Sequence, residues 1–137
     1  MDITSQNRKV LIVDDNEDIR VIFSAAFEDA GYKVYTSKDG LWGITDVIEI
    51  NPTVIILDIM MPEMSGYDFL TTLQNNTSVT APVIVVSNLS QEKDKQEALD
   101  HGADLCLTKS DYSGQELVET VEKFLLSWQA KPKDESF

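Results

Sequence analysis

Short unbroken aliphatic runs alternate with amphipathic stretches along this chain. Val10–Val13 is the first run, and its β-branched residues with no polar interruption predict a strand buried on both faces. Ile19, Ile22, Phe23, Ala26, Phe27 and Ala30 then recur at helical spacing, forming one stripe that Gly31 is placed to stop. Tyr32–Thr36 is a weaker strand with Tyr32 and Val34 on one face. Leu41, Ile44, Val47 and Ile48 predict a second helix, ended by Asn51-Pro52 because a residue before proline is steered out of the α region. Val54–Leu57 is the cleanest central strand. The turn-rich segment Met61-Pro62-Glu63-Met64-Ser65-Gly66 leads into a short helix near Tyr67–Gln74. Val83–Val86 is a fourth strand, and Ser90–His101 is a polar helix closed by Gly102, with only Ala98 and Leu99 apolar. Ala103–Leu107 is a fifth strand. Gln115–Trp128 is the last helix, with Leu117, Val121, Phe124, Leu125 and Trp128 facing inward.

Five strands alternating with five helices imply a parallel sheet covered on both faces. Right-handed crossovers leave few topologies, and a barrel would need eight such units. The expectation is α/β: an open, doubly wound five-stranded parallel sheet in the common order 2-1-3-4-5. The 137 residues suit one domain, expected over residues 1–128, with the polar segment 129–137 around Pro132 as a loose tail.

Composition narrows the function. Eleven basic against 24 acidic residues give a net charge of −13, which a phosphate backbone would repel, so no nucleic-acid partner is expected. A single cysteine makes neither an internal disulfide nor a thiolate metal site. The polar N-terminus lacks the core of a signal peptide, and the longest aliphatic runs are far shorter than the ~20 residues that span a bilayer. A cytoplasmic protein without membrane insertion is expected.

In open α/β sheets ligands sit beyond the carboxyl ends of the strands, where the strand order reverses. Strand one ends in Asp14-Asp15, strand three in Asp58 and strand four in Ser87, while Lys109 follows strand five. Singly these residues are unremarkable: an Asp after a strand is often a helix N-cap, and a loop Ser or Lys is usually solvated. Jointly they place three carboxylates in one crevice. Each close pair costs about 4 kcal/mol at an effective dielectric of ~20, so a cation is expected among them. Oxygen ligands without a Cys or His cluster point to Mg2+ or Mn2+. A divalent cation beside a carboxylate, a hydroxyl and a Lys suits phosphoryl chemistry, with one carboxylate as nucleophile. Asp58 fits that role, standing alone at the end of the central strand.

These segments resemble a response-regulator receiver domain of two-component signalling, a flavodoxin-like fold. The resemblance rests on Val10-Leu11-Ile12-Val13-Asp14-Asp15-Asn16, Ile56-Leu57-Asp58-Ile59-Met60-Met61-Pro62, Ser65-Gly66, Val85-Val86-Ser87 and Gly102-Ala103-Asp104 through Lys109. It implies phosphorylation of Asp58 by a histidine kinase. It implies Mg2+ on Asp15, Asp58 and the main-chain carbonyl of Met60, with Asp14 acting through a water. Ser87 takes the hydroxyl switch position and Lys109 the phosphate-contacting one.

Three positions depart from the family pattern. Cys106 stands where a Tyr or Phe is common, so no ring is available to swing inward; a small buried hydrophobe is expected, and a redox role would need exposure and a lowered pKa. Ser110 replaces the usual Pro after the Lys, which predicts a trans Lys109–Ser110 bond, since a cis bond before Ser costs roughly 2.5–4 kcal/mol. Asn88 replaces a small residue beside the switch hydroxyl and is expected to alter phosphorylation or hydrolysis rates. His101 reads as a helix-end cation. Trp42 and Trp128 read as packing or edge residues.

The expected function is that of a stand-alone receiver, since no residues remain for an output domain. It is a phospho-accepting switch rather than an enzyme with a separate substrate, signalling to a downstream protein. Output or homodimer formation is expected through helix four, strand five and helix five. Two alternatives are a relay passing the group to a histidine phosphotransfer protein and a degenerate receiver acting without phosphorylation. A dehalogenase-like phosphatase is disfavoured because Met60, not Asp, lies two residues after Asp58. Flavin binding is disfavoured for want of a phosphate loop after strand one.

Overall fold

Strands β1 (Lys9–Val13), β3 (Val54–Leu57) and β4 (Val83–Ser87) are the aliphatic runs, and every residue of β3 and β4 is buried. In the computed structural model, which describes residues 8–61, 64–76, 78–88 and 91–128, they form the middle of a parallel sheet. With β2 (Lys33–Ser37) and β5 (Leu105–Thr108) at the edges, the order is β2-β1-β3-β4-β5, as expected.

Alternation along the strands splits the core into two layers. Val10, Ile12, Val54, Ile56, Ile84 and Val86 face Phe23 and Phe27 of α1 (Glu17–Asp29) and Leu117, Val118 and Val121 of α5 (Gly114–Ser127). Leu11, Val13, Ile55, Leu57, Val83 and Val85 face the other layer. That layer holds Val47 of α2 (Gly40–Ile50), Phe69, Leu70 and Leu73 of α3 (Gly66–Gln74), and Ala98 of α4 (Glu92–Asp100). Burial of both sheet faces explains why these strands read as continuous apolar runs.

The helix stripes depart from the sequence reading at three residues. Leu41 and Ile48, expected to face the core, are 53% and 55% exposed. The inner face of α2 is made by Gly40, Gly43 and Val47 instead. The helix lies so close to α3 that a Cβ on Gly43 would sit 2.7 Å from the Phe69 ring. Ile22, also expected inside, is 52% exposed. There α1 packs tightly on α5, and a Cβ on Gly114 would come 2.8 Å from the Ala26 methyl. Trp42 is exposed and Trp128 half-buried.

Two boundaries move by two residues, and others, such as β2 at Lys33–Ser37 rather than Tyr32–Thr36, by one. The fifth strand begins at Leu105 rather than Ala103, because the Ala103 N–H closes α4 by donating to the Ala98 carbonyl. The fourth helix begins at Glu92, and Ser90 lies outside the described residues, as does the tail 129–137. Gly31 and Gly102 stop their helices with φ of 94° and 117°, conformations that favour glycine.

Candidate functional site

The sheet register brings the strand ends together. Val13 pairs with Leu57 and Leu57 with Val85, so Asp14, Asp58 and the end of β4 emerge side by side. The Asp58 N–H donates to the Val13 carbonyl at 2.9 Å, and the Asp14 N–H donates to the Ser37 carbonyl at 3.0 Å.

Asp14 is buried, and every polar atom it owns is held. Its Oδ1 accepts from the Asn16 N–H at 2.9 Å and its Oδ2 from Lys109 Nζ at 2.9 Å. Its carbonyl accepts from Arg20 Nη1 at 2.7 Å. Asn16, not Asp15, caps α1 by accepting from the Ile19 N–H, so the common capping role does not occupy Asp15. Asp15 is exposed, and one carboxylate oxygen from each of Asp14, Asp15 and Asp58 lies within 4.8 Å of the others.

Asp58 is buried, with Met60 N–H donating to its Oδ1 at 3.3 Å and Lys109 Nζ 3.6 Å from its Oδ2. Burial pushes its carboxyl above the ordinary aspartate range. Lys109 pulls it down, Asp14 pushes it up, and the Met60 N–H and the nearby Ser87 hydroxyl pull it down. Ser87 itself is fully buried, and its Oγ meets no partner at strict hydrogen-bonding geometry among the described residues. An orphaned buried hydroxyl is uncommon and invites a ligand acceptor. Asn88 beside it is exposed, and Met60 is 63% exposed at the edge of the crevice.

The loop leaving Asp58 is pinned by Gly66. Its N–H donates to the Ile59 carbonyl at 2.8 Å, and a Cβ there would lie 2.5 Å from Ile59 Cα and 2.9 Å from the Asp58 carbonyl. Ser65 caps α3 by accepting from the Asp68 N–H.

The variant positions resolve differently. Cys106 is half-buried against the α2–α4 layer, and burial pushes its thiol up, opposite to what a reactive thiolate requires. Lys109–Asp111 forms a 3-10 turn, and no cis peptide bond occurs among the described residues, so Lys109–Ser110 is trans as expected. His101 ends α4 with Nδ1 2.8 Å from the Glu97 carbonyl and its ring 4.9 Å from that of Tyr67. Arg20 and Ser37 are contributors that the sequence reading passed over. Both act through main-chain carbonyls, which leave no residue-type signature.

The fold and the crevice define a class: an open α/β domain with a carboxylate cluster, a buried hydroxyl and a lysine at the strand ends. Residues 10–122 match the family model of the response regulator receiver domain, and the chain belongs to that family. It is 30% identical over 129 residues to Protein PilG of Pseudomonas aeruginosa, covering 93% of this chain and 95% of that one. It is 32% identical over 118 residues to the DNA-binding dual master transcriptional regulator RpaA of Synechocystis, covering 85% and 48%. The chain spans about half the length of RpaA and of several other curated relatives it matches. Among solved structures, the receiver domain of Francisella response regulator 1452 matches at a TM-score of 0.79 and 32% identity, covering 88% and 98%. Chemotaxis response regulator CheY4 of Vibrio cholerae matches at 0.79 and 31%, covering 85% and 97%. No helix among the described residues is long and apolar enough to cross a membrane.

Proposed function

We propose that this chain accepts a phosphoryl group on Asp58 from a phosphohistidine of a histidine kinase or phosphotransfer protein, in the cytoplasm. The observation that carries the reading is the convergence of Asp58 with the fully buried Ser87 hydroxyl and a lysine 3.6 Å away. An Asp58 carboxylate oxygen attacks phosphorus, the P–N bond to the histidine breaks, and the phosphoryl oxygens meet Lys109 Nζ and the Ser87 hydroxyl.

The residues fit a divalent cation. Three carboxylates share one ammonium, which leaves two negative charges uncompensated. Asp15, Asp58 and the Met60 carbonyl would hold Mg2+ or Mn2+, with Asp14 acting through a water. Bound there, the cation supplies positive charge against the phosphoryl oxygens.

Output is a phosphorylation-dependent contact with a protein target, or with a second copy, through α4, β5 and α5. Polar α4 supports this, since Ala98 is its one buried residue. The test is intact mass after incubation with acetyl phosphate and Mg2+, beside an Asp58→Asn control. One phosphoryl adduct that needs both Mg2+ and Asp58 is expected. An adduct that survives in the Asp58→Asn protein would move the site elsewhere.

A further inference from the structure

We infer that Arg20 is a positioning residue for the cation site, holding the Asp14–Asp15 peptide at the angle that turns the Asp15 carboxylate toward Asp58. This rests on the cation reading above. In a chain with 24 acidic residues, Arg20 makes no ion pair among the described residues. Its guanidinium is spent on a main-chain carbonyl, that of Asp14, at 2.7 Å. This is the shortest of the contacts that hold Asp14.

The peptide unit is planar, so fixing the Asp14 carbonyl fixes the plane from which Asp15 departs. The Asp15 side chain has no other restraint among the described residues: it is exposed, and the capping of α1 falls to Asn16. Its place within 4.8 Å of the other two carboxylates therefore depends on the backbone. Arg20 sits in α1, whose packing through Phe23 and Phe27 makes it a rigid base. Such outer-sphere contacts typically tune metal affinity by about 10–100-fold.

A charge effect would act in the opposite sense. A guanidinium near the cluster repels a divalent cation, so its removal would tighten binding. Three variants separate the two effects: Arg20→Met removes donor and charge, Arg20→Gln keeps a neutral donor, and Arg20→Lys keeps both. Mg2+ binding is read by calorimetry on the unphosphorylated protein, after urea unfolding has shown each variant folded. Amide exchange of Asn16, whose N–H bonds Asp14, is followed without metal.

Positioning predicts at least ~10-fold weaker Mg2+ binding and faster Asn16 exchange in Arg20→Met, with Arg20→Gln and Arg20→Lys close to wild type. Unchanged or tighter binding in Arg20→Met, or equal effects in Arg20→Met and Arg20→Gln, would overturn the positioning role. A wild-type protein that takes up no Mg2+ would overturn the cation reading itself, and this inference with it.

Discussion

Lys109 Nζ stands 2.9 Å from Asp14 Oδ2, in a contact almost closed to solvent. The same ammonium reaches Asp58 at 3.6 Å, so one side chain from beyond β5 compensates carboxylates just past the ends of two other strands. Removing one partner of a buried pair leaves the remaining charge desolvated and unpaired, a loss of about 3–5 kcal/mol. Lys109→Met is expected to lose about 3 kcal/mol at neutral pH without divalent cations, measured by urea unfolding. Saturating Mg2+ should recover part of the loss, because it would restore positive charge within the same carboxylate cluster.

Asp58 carries the opposite signature. Its carboxyl is raised, chiefly by burial, so the folded protein holds this proton more tightly than the unfolded chain does. Its contribution to stability is fully present below the ordinary aspartate range and is lost as pH rises through the elevated folded value. Asp58→Asn removes that loss. In metal-free buffer the variant should unfold at higher urea than wild type at pH 7, and the gap should close as the pH falls toward 4. A gap that widens on acidification would show that Asp58 is stabilised, not penalised, as an anion.

Asp15 gives a paired expectation. Asp15→Asn removes one of three mutually repelling carboxylates and one oxygen of the cation site. Without Mg2+ its melting temperature should rise slightly, because Asp15 is exposed and its repulsion is screened. With Mg2+ it should lose most of the ligand-induced stabilisation expected of wild type, about 2.7 kcal/mol at a hundred times Kd. Thermal melts with and without the ion measure both.

Gly66→Ala tests the loop. The new methyl would lie 2.5 Å from Ile59 Cα, a backbone atom that cannot rotate away. Either α3 or the peptide following Asp58 must shift, at about 1–3 kcal/mol. Phosphorylation by acetyl phosphate should slow, and less so in Gly40→Ala, whose methyl would meet Met64 Cβ, Cγ and carbonyl oxygen at 3.1–3.2 Å, contacts that a shift of a few tenths of an ångström relieves.

The sheet and its order were legible because strands buried on both faces leave no choice of residue type, and strand ends follow directly. That is why Asp14, Asp15, Asp58, Ser87 and Lys109 could be placed in one crevice from the sequence. The helix faces were less legible. A stripe of large apolar residues marks the buried face only when the helix stands off at ordinary distance. On α2 close approach reserves that face for glycine and turns Leu41 and Ile48 outward. Arg20 was illegible for a different reason: its contact spans six residues and ends on a carbonyl, which every residue possesses.

The sheet is open, and its outer strands have a consequence for solution behaviour. β2 and β5 are five and four residues long, and each presents one side with no sheet neighbour among the described residues, the template on which strands of another molecule add. The exposed Lys33 on β2 is a local deterrent. The larger one is global: a net charge of −13 drives copies apart before their edges meet. That protection is colloidal and ends near the isoelectric point of about 4.2. Turbidity on mild acidification is therefore expected before loss of circular dichroism, and salt that screens the charge should bring it on at higher pH.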